Sequence, residues 1–94
     1  MTSSRAPRTW EEYAFALGVN LRRLRDERGL TQEELAHRAG TTRNHYQLLE
    51  RGYWQEGRPS NPRLNVLVHL ALALDVALDE LLPAHDRLNL DERR

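Results

Sequence analysis

The sequence predicts an all-α fold of five helices, and three observations lead to this expectation. Apolar residues recur at spacings of three and four along most of the chain. Glycine or proline follows most of these segments, where helices commonly end. No segment alternates between polar and apolar residues with a period of two, so we expect no sheet. The 94 residues suffice for one compact domain.

A first helix is predicted from Trp10 to about Arg28, and Gly29 ends it. Its inward-facing residues follow the three-and-four spacing: Tyr13, Ala14, Leu17, Leu21 and Leu24. Residues 1–9 are polar, contain Pro7, and are expected to form a flexible N-terminal arm.

Two short helices follow. Thr31 is predicted to cap the second helix, because Glu34 three positions later completes a capping box. Gly40 ends this helix, and its inner face consists of Leu35, Ala36 and Ala39. The third helix is predicted to start after Thr41 and to run to about Arg51, with inner residues Tyr46 and Leu49.

The remaining chain is predicted to hold a loop, two helices and a tail. Residues 53–60 contain a glycine and a proline and are expected to form the loop. Asn61 is predicted to cap the fourth helix, with Pro62 at its first position. The apolar face of that helix is expected to consist of Leu64, Leu67, Val68, Ala71 and Leu74. A fifth helix, 78–82, ends before Pro83, so the domain spans 10–83 and the C-terminal tail 84–94.

The composition excludes several classes of protein. The chain has no cysteine, which rules out disulfides, thiolate catalysis and cysteine-based metal sites. The four histidines lack metal-ligand spacing, and no Gly-rich phosphate loop or activated nucleophile is present, so we expect no metal, cofactor or enzymatic activity. The N-terminus lacks the apolar core of a signal peptide, and the apolar run 64–74 is too short to cross a bilayer. A cytoplasmic protein without membrane contact is therefore expected.

The charges are distributed unevenly, although the formal net charge is zero. Residues 1–63 carry eleven arginines and eight acidic residues, whereas residues 64–94 carry three arginines and six acidic residues. The zero net charge argues against nucleic-acid binding, but a basic first part and an acidic second part fit DNA on one face of the molecule.

The second helix, the turn at Gly40 and the third helix form one compact unit. A helix-turn-helix needs a small residue where its helices cross and a glycine whose left-handed conformation turns the chain, and Ala36 and Gly40 fit these roles. Tyr46 and Leu49 are the apolar anchors of its second helix. An ordinary helical hairpin shares single features of this kind, but the combination favours the helix-turn-helix.

The same residues carry a family resemblance. It rests on GLTQEELA at 29–36, AG at 39–40 and LERG at 49–52, and then on Asn61-Pro62 and the leucine-rich segments 70–74 and 78–82. In these segments the chain resembles the Xre/Cro/CI family of phage-repressor-like transcriptional regulators. The resemblance covers about residues 17–82 and implies a lambda-repressor-like DNA-binding domain.

The resemblance implies that the third helix is the recognition helix, with its N-terminal residues at base edges in the major groove of double-stranded DNA. Arg43 is expected to contact guanine, and Asn44 and Gln47 to contact adenine, because these side chains offer bidentate hydrogen bonds to those bases. Each is also a common residue on a solvated helix face. Leu48 either packs inward or touches a thymine methyl.

Five residues are expected to contact DNA phosphates: Gln32, Thr42, Arg51, Arg58 and Arg63. Gln32 stands at the start of the second helix, where unpaired N–H groups and the helix dipole attract an anion, and the family uses this glutamine on the DNA backbone. The alternative is a side chain that caps the helix. The resemblance also implies a structural ion pair between Arg25 and Glu50.

Members of this family usually dimerise and read two half-sites, so a homodimer on a pseudo-palindromic operator is expected. The fifth helix and the tail are the expected interface, through Val76, Leu78, Leu81, Leu82 and the tail leucines, unless these residues complete the core of the monomer. Tyr53 and Trp54 either form a tucked hydrophobic plug or reach the DNA backbone. The predicted function is sequence-specific transcriptional regulation, of the repressor type. The alternative is a protein-interaction module or an antitoxin-like partner-binding protein on the same fold.

Overall fold

The computed structural model describes residues 6–90 and contains the five expected helices. They are α1 (Trp10–Glu27), α2 (Gln32–Arg38), α3 (Arg43–Arg51), α4 (Leu64–Leu74) and α5 (Leu78–Leu81). Two short antiparallel strands, β1 (Tyr53–Gln55) and β2 (Arg58–Pro59), lie between α3 and α4. The five-helix architecture is confirmed, whereas the expectation of no sheet is wrong. Strands of three and two residues are too short to show a period of two in the sequence.

Threonine hydroxyls begin the first three helices. The Thr31 hydroxyl accepts the Glu34 N–H at 3.0 Å, and the Glu34 carboxylate accepts the Thr31 N–H at 2.8 Å, which confirms the predicted capping box. The Thr9 hydroxyl accepts the Glu12 N–H, and the Thr42 hydroxyl accepts the His45 N–H. Each helix start is therefore fixed by its own local sequence.

The start of α4 differs from the sequence-based expectation. Asn61 does not cap this helix, which begins at Leu64 after an extended Arg63 that makes no side-chain capping bond. The reason lies at the base of the hairpin, where Ser60 is 4% exposed. Its N–H donates to the Gly52 carbonyl at 2.9 Å and its hydroxyl donates to the Leu48 carbonyl at 3.1 Å. These bonds anchor the chain at residue 60, and it stays non-helical over residues 61–63 before α4 begins.

One hydrophobic core joins all five helices. Its most deeply buried large side chains are Leu21, Leu35, Tyr46, Leu70, Leu74 and Leu81. Gly18 of α1 lies directly against the end of α3, where a Cβ atom would stand 2.3 Å from the Glu50 carbonyl oxygen. The two helix backbones approach this closely only because residue 18 has no side chain.

Both ends of the described chain pack on the domain. Pro7 is buried, and the Arg8 carbonyl accepts the Asn89 N–H at 3.0 Å. The Tyr13 hydroxyl donates to the Pro83 carbonyl at 3.0 Å. These contacts bring the residues before α1 and the residues after α5 together on one side of the molecule.

Candidate nucleic-acid interface

The third helix is anchored on one side and free on the other. Tyr46 and Leu49 are 0% and 3% exposed, and they hold the helix against the core. Arg43, Asn44 and Gln47 are all exposed, and their spacing places them on a common outer face at the N-terminal half of the helix. The structure therefore brings the three predicted base-contacting residues together on an accessible surface.

Glu50, near the end of α3, is the centre of a buried hydrogen-bond network. Its carboxylate accepts hydrogen bonds from Arg25 Nε at 2.5 Å and from Arg25 Nη2 at 3.2 Å. Two such bonds give the fork geometry of a strong arginine–carboxylate pair. It also accepts the Tyr46 hydroxyl at 2.5 Å and Gln32 Nε2 at 2.9 Å. The expected pair of Arg25 and Glu50 is present, with side chains only 12% and 6% exposed. The network ties α1, α2 and α3 together.

The network also sets the protonation states of its members. Burial alone would raise the pKa of the Glu50 carboxyl, but the hydrogen bonds from Arg25, Tyr46 and Gln32 outweigh it, so the net pKa is lowered. The hydrogen bond to Glu50 raises the pKa of the Arg25 guanidinium. Burial, followed by the bond to Glu50, raises the pKa of the Tyr46 hydroxyl. Glu50 is thus held as a carboxylate that three donors satisfy.

Gln32, the first residue of α2, has a role that the sequence does not reveal. One amide N–H of its half-buried side chain donates to Glu50. An amide NH₂ group has two donors, so one remains for another acceptor. The network therefore positions the Gln32 amide at the helix N-terminus, where backbone N–H groups lack partners.

Arg51 at the end of α3 and Arg58 of the hairpin each lie over an aromatic ring of β1. The Arg51 guanidinium lies 4.5 Å from the centre of the Tyr53 ring, and the Arg58 guanidinium lies 5.7 Å from the centre of the Trp54 ring. Tyr53 and Trp54 are 42% and 53% exposed, so the first of the two alternatives, a tucked hydrophobic plug, is wrong. These stacked pairs form an exposed, positively charged surface next to α3.

A hollow of about 310 Å³ separates the hairpin from the third helix. His45, Leu48 and Trp54 line it, together with the base of the hairpin at 59–62. Leu48 is half-buried at this edge.

Thr42, at the start of α3, and Arg63, just before α4, are both exposed. All the predicted phosphate-contacting residues except Gln32 are therefore exposed.

The expected dimer interface is only partly accessible. Leu81 is 0% exposed, and Val76 and Leu78 pack against the core, so these residues serve the monomer. Leu82 and Leu90 are 37% and 43% exposed.

The fourth helix carries an exposed apolar stripe that the sequence did not separate from its core face. Leu64, Val68 and Leu72 are 67%, 38% and 71% exposed and lie one helical turn apart. The expectation that Leu64 and Val68 face the core is wrong. Packing leaves both on the outside, and the inner face of α4 is Leu67, Leu70, Ala71 and Leu74.

The described residues, 6–90, contain no candidate metal-binding cluster and no candidate membrane span. Within this range no His, Asp and Glu side chains gather in a group of three or more that could hold a metal ion. No helix of this part of the chain has the length and apolar character needed to span a membrane.

Comparison with known proteins gives consistent matches. A family model described as helix-turn-helix matches residues 21–81, more than half of the chain. The HTH-type transcriptional regulator y4dJ of Sinorhizobium fredii is 41% identical over 70 residues, which cover 74% of this chain and 83% of that protein.

Solved structures agree with these matches. The restriction-modification controller protein C.AhdI from Aeromonas hydrophila is 37% identical, with a TM-score of 0.64 over 72% of this chain and 94% of its own. The hypothetical transcription factor NHTF from Neisseria is 31% identical, with a TM-score of 0.67 over 87% of each chain.

Proposed function

The chain belongs to the helix-turn-helix family of Xre/Cro/CI-type transcriptional regulators, and we propose that it represses transcription by reading a specific DNA sequence with α3. The family makes it a DNA-binding regulator and not an enzyme. One observation carries the finer proposal: Arg43, Asn44 and Gln47 share the exposed face of a helix that Tyr46 and Leu49 anchor in the core. An anchored helix with free bidentate donors suits base reading in the major groove.

The proposed backbone contacts surround this helix. Gln32 and Thr42 stand at the starts of α2 and α3, where unpaired N–H groups favour a phosphate oxygen. Arg51, Arg58 and Arg63 add exposed positive charge on the hairpin side. Contacts of this kind fix the register of the protein on the duplex and carry no sequence information themselves.

The proposed active form is a homodimer that binds a pseudo-palindromic operator. The exposed stripe on α4, with Leu82 and the tail residue Leu90, offers apolar surface for a second copy. This revises the interface expected from the sequence, because Leu81, Val76 and Leu78 are used by the monomer core. A twofold dimer would place two copies of α3 on half-sites about one helical turn apart.

Arg43→Ala and Asn44→Ala are each expected to weaken binding to the selected operator by about 5- to 150-fold, the equivalent of about 1–3 kcal/mol for one bidentate base contact. Selection from genomic fragments with the wild-type chain supplies the operator, and titration of the variants measures the loss. Arg87→Ala removes an exposed arginine of the tail and serves as the matched control. A selection that yields no shared sequence would contradict base reading by α3.

Arg58→Ala and Arg63→Ala are expected to weaken binding to the operator and to unrelated DNA by the same factor. A lost phosphate contact is independent of sequence, and it should reduce the slope of log K against log salt by about 1. Binding isotherms at several salt concentrations measure both quantities. A loss of affinity for the operator alone would instead indicate that the arginine contacts a base.

A protein-interaction module on the same fold is the second candidate. The zero net charge and the hollow lined by Leu48 and Trp54 beside α3 favour it. Weak, salt-sensitive and sequence-blind DNA binding by the wild-type chain is the outcome that would support this function over operator binding.

A further inference from the structure

The outer face of α1 carries two large apolar side chains that the monomer leaves exposed. Phe15 and Val19 are 62% and 50% exposed, and they lie one turn apart on the side opposite the buried Leu17 and Leu21. Phe15 borders two surface hollows, one of about 230 Å³ next to the hairpin and one of about 600 Å³ along α1. An exposed apolar pair beside surface hollows offers contact area to another molecule.

Charged residues of opposite sign flank the apolar pair at the two ends of the helix. We define the outer face of α1 by six residues: Glu11, Glu12, Phe15, Val19, Arg22 and Arg23. At 3.6 residues per turn all six fall on one side of the helix. The glutamates occupy its N-terminal end and the arginines its C-terminal end.

The arginines of this face are only weakly engaged within the chain. Arg22 lies 4.0 Å from Asp26 and Arg23 lies 3.5 Å from Glu27, and all four side chains are more than half exposed. Exposed ion pairs of this type contribute about 0–1 kcal/mol. Both guanidinium groups are therefore available to another carboxylate.

The face has an internal symmetry about position 17. Phe15 and Val19 lie two positions on either side of it, and the two glutamates and two arginines lie five and six positions on either side. A second α1 laid antiparallel across the face, with the same centre, would pack each Phe15 against Val19 of the other copy. The glutamates of each copy would face the arginines of the other. Helical geometry puts Glu11 on the same edge of the face as Arg22. In the antiparallel pair, Glu11 of each copy would therefore face Arg22 of the other.

We propose that the outer face of α1 binds the same face of a second copy of this chain in antiparallel orientation. Parallel packing would set like charges against each other at both ends, which is costly, so the charges select the antiparallel pairing. An 18-residue helix is about 27 Å long, so the contact is small and belongs with transient interfaces.

The outer face of α1 includes no residue of the proposed DNA contacts or of the exposed stripe on α4, although Arg51 and Arg58 line the smaller hollow beside Phe15. It therefore supplies a second twofold contact, independent of the proposed operator-binding dimer. Two dimers on neighbouring operators would associate through it. Its test needs no DNA, so failure of the proposed function would leave the result unaffected.

Sedimentation equilibrium of the full chain without DNA, over a wide concentration range, tests the proposal by charge reversal. Glu11→Arg and Arg22→Glu each create two like-charge contacts in the antiparallel pair. Each variant alone is expected to self-associate at least about tenfold more weakly, so that the mass of the largest species halves. An equimolar mixture of the two variants is expected to recover wild-type association, because each changed residue then faces an opposite charge.

Phe15→Ser provides a second variant, expected to lose association without recovery in any mixture, and circular dichroism verifies that all variants fold. Recovery in the mixture supports the antiparallel register directly. A wild-type chain that stays monomeric, or variants with unchanged mass, would contradict the proposal that the outer face of α1 binds a second copy. Variants that dissociate alone and stay dissociated when mixed would overturn the proposed pairing.

Discussion

Replacement of Glu50 by glutamine is expected to lower the free energy of unfolding by about 3 kcal/mol, because it leaves the buried Arg25 guanidinium with only the exposed Asp26 carboxylate, 3.5 Å away, as a counter-charge. Domains of this size are stable by only about 5–15 kcal/mol, so the variant should unfold at a much lower denaturant concentration. Urea denaturation followed by circular dichroism measures the change.

Glu27→Gln is the matched control for this substitution. Glu27 also pairs with an arginine, Arg23, but both side chains are more than half exposed, so its loss should cost at most about 1 kcal/mol. Equal midpoints for Glu50→Gln and the wild type would contradict a stabilising role for the buried network.

The same network predicts how the free energy of unfolding changes as the pH falls. The folded pKa of Glu50 lies below its ordinary value of 4.5, so its contribution is fully present above that pH. The contribution is lost as the pH falls through the lowered folded value, where the native carboxylate takes up a proton. Glu50→Gln should therefore show a smaller loss of stability in acid than the wild type. Denaturation midpoints between neutral and acidic pH compare the two proteins.

Replacement of Gly18 by alanine is expected to destabilise the fold by about 3 kcal/mol, although alanine is the better helix former by about 1 kcal/mol. The added Cβ would lie 2.3 Å from the Glu50 carbonyl oxygen and 2.8 Å from the Leu49 carbonyl oxygen. Backbone atoms cannot rotate away, so α1 and α3 must separate. Because α3 carries the proposed base contacts, operator affinity should fall as well.

Gly29→Ala separates this steric effect from a general effect of removing glycine. A Cβ at Gly29 meets no atom within 4 Å, and only the left-handed backbone, with φ of 68°, opposes the change. That strain costs about 1–2 kcal/mol. Thermal unfolding of the two variants should therefore rank Gly18→Ala as the less stable. A Gly18→Ala chain as stable as the wild type would rule out the close crossing of α1 and α3.

Much of the fold follows from local patterns in the sequence. Thr31 and Glu34 form their capping box because both partners lie within one turn. The apolar spacing of α1 identifies Leu17, Leu21 and Leu24 as core residues, and all three are buried. The pairing of Arg25 with Glu50 followed from the family resemblance, since no local pattern links residues so far apart in sequence.

Other features depend on contacts between distant segments. Residues 53–59 form a hairpin with Gly57 at a φ of 76° in its turn, Ser60 closes it through bonds to Gly52 and Leu48, and α4 begins only at Leu64. No local spacing encodes that bond pattern. The sequence also could not reveal that Gln32 shares Glu50 with Arg25 and Tyr46, because these residues meet only when three helices pack.

The sequence by itself determined the helical fold, the helix-turn-helix and the residues that line the outer side of α3. These depend on interactions within a few residues, which composition and spacing record. Only the tertiary structure decided which apolar residues stay outside. Leu64 and Val68 are exposed while Leu81 is buried, because the single core of a small domain covers one side of each helix. The surfaces proposed to bind a second copy are set by that packing.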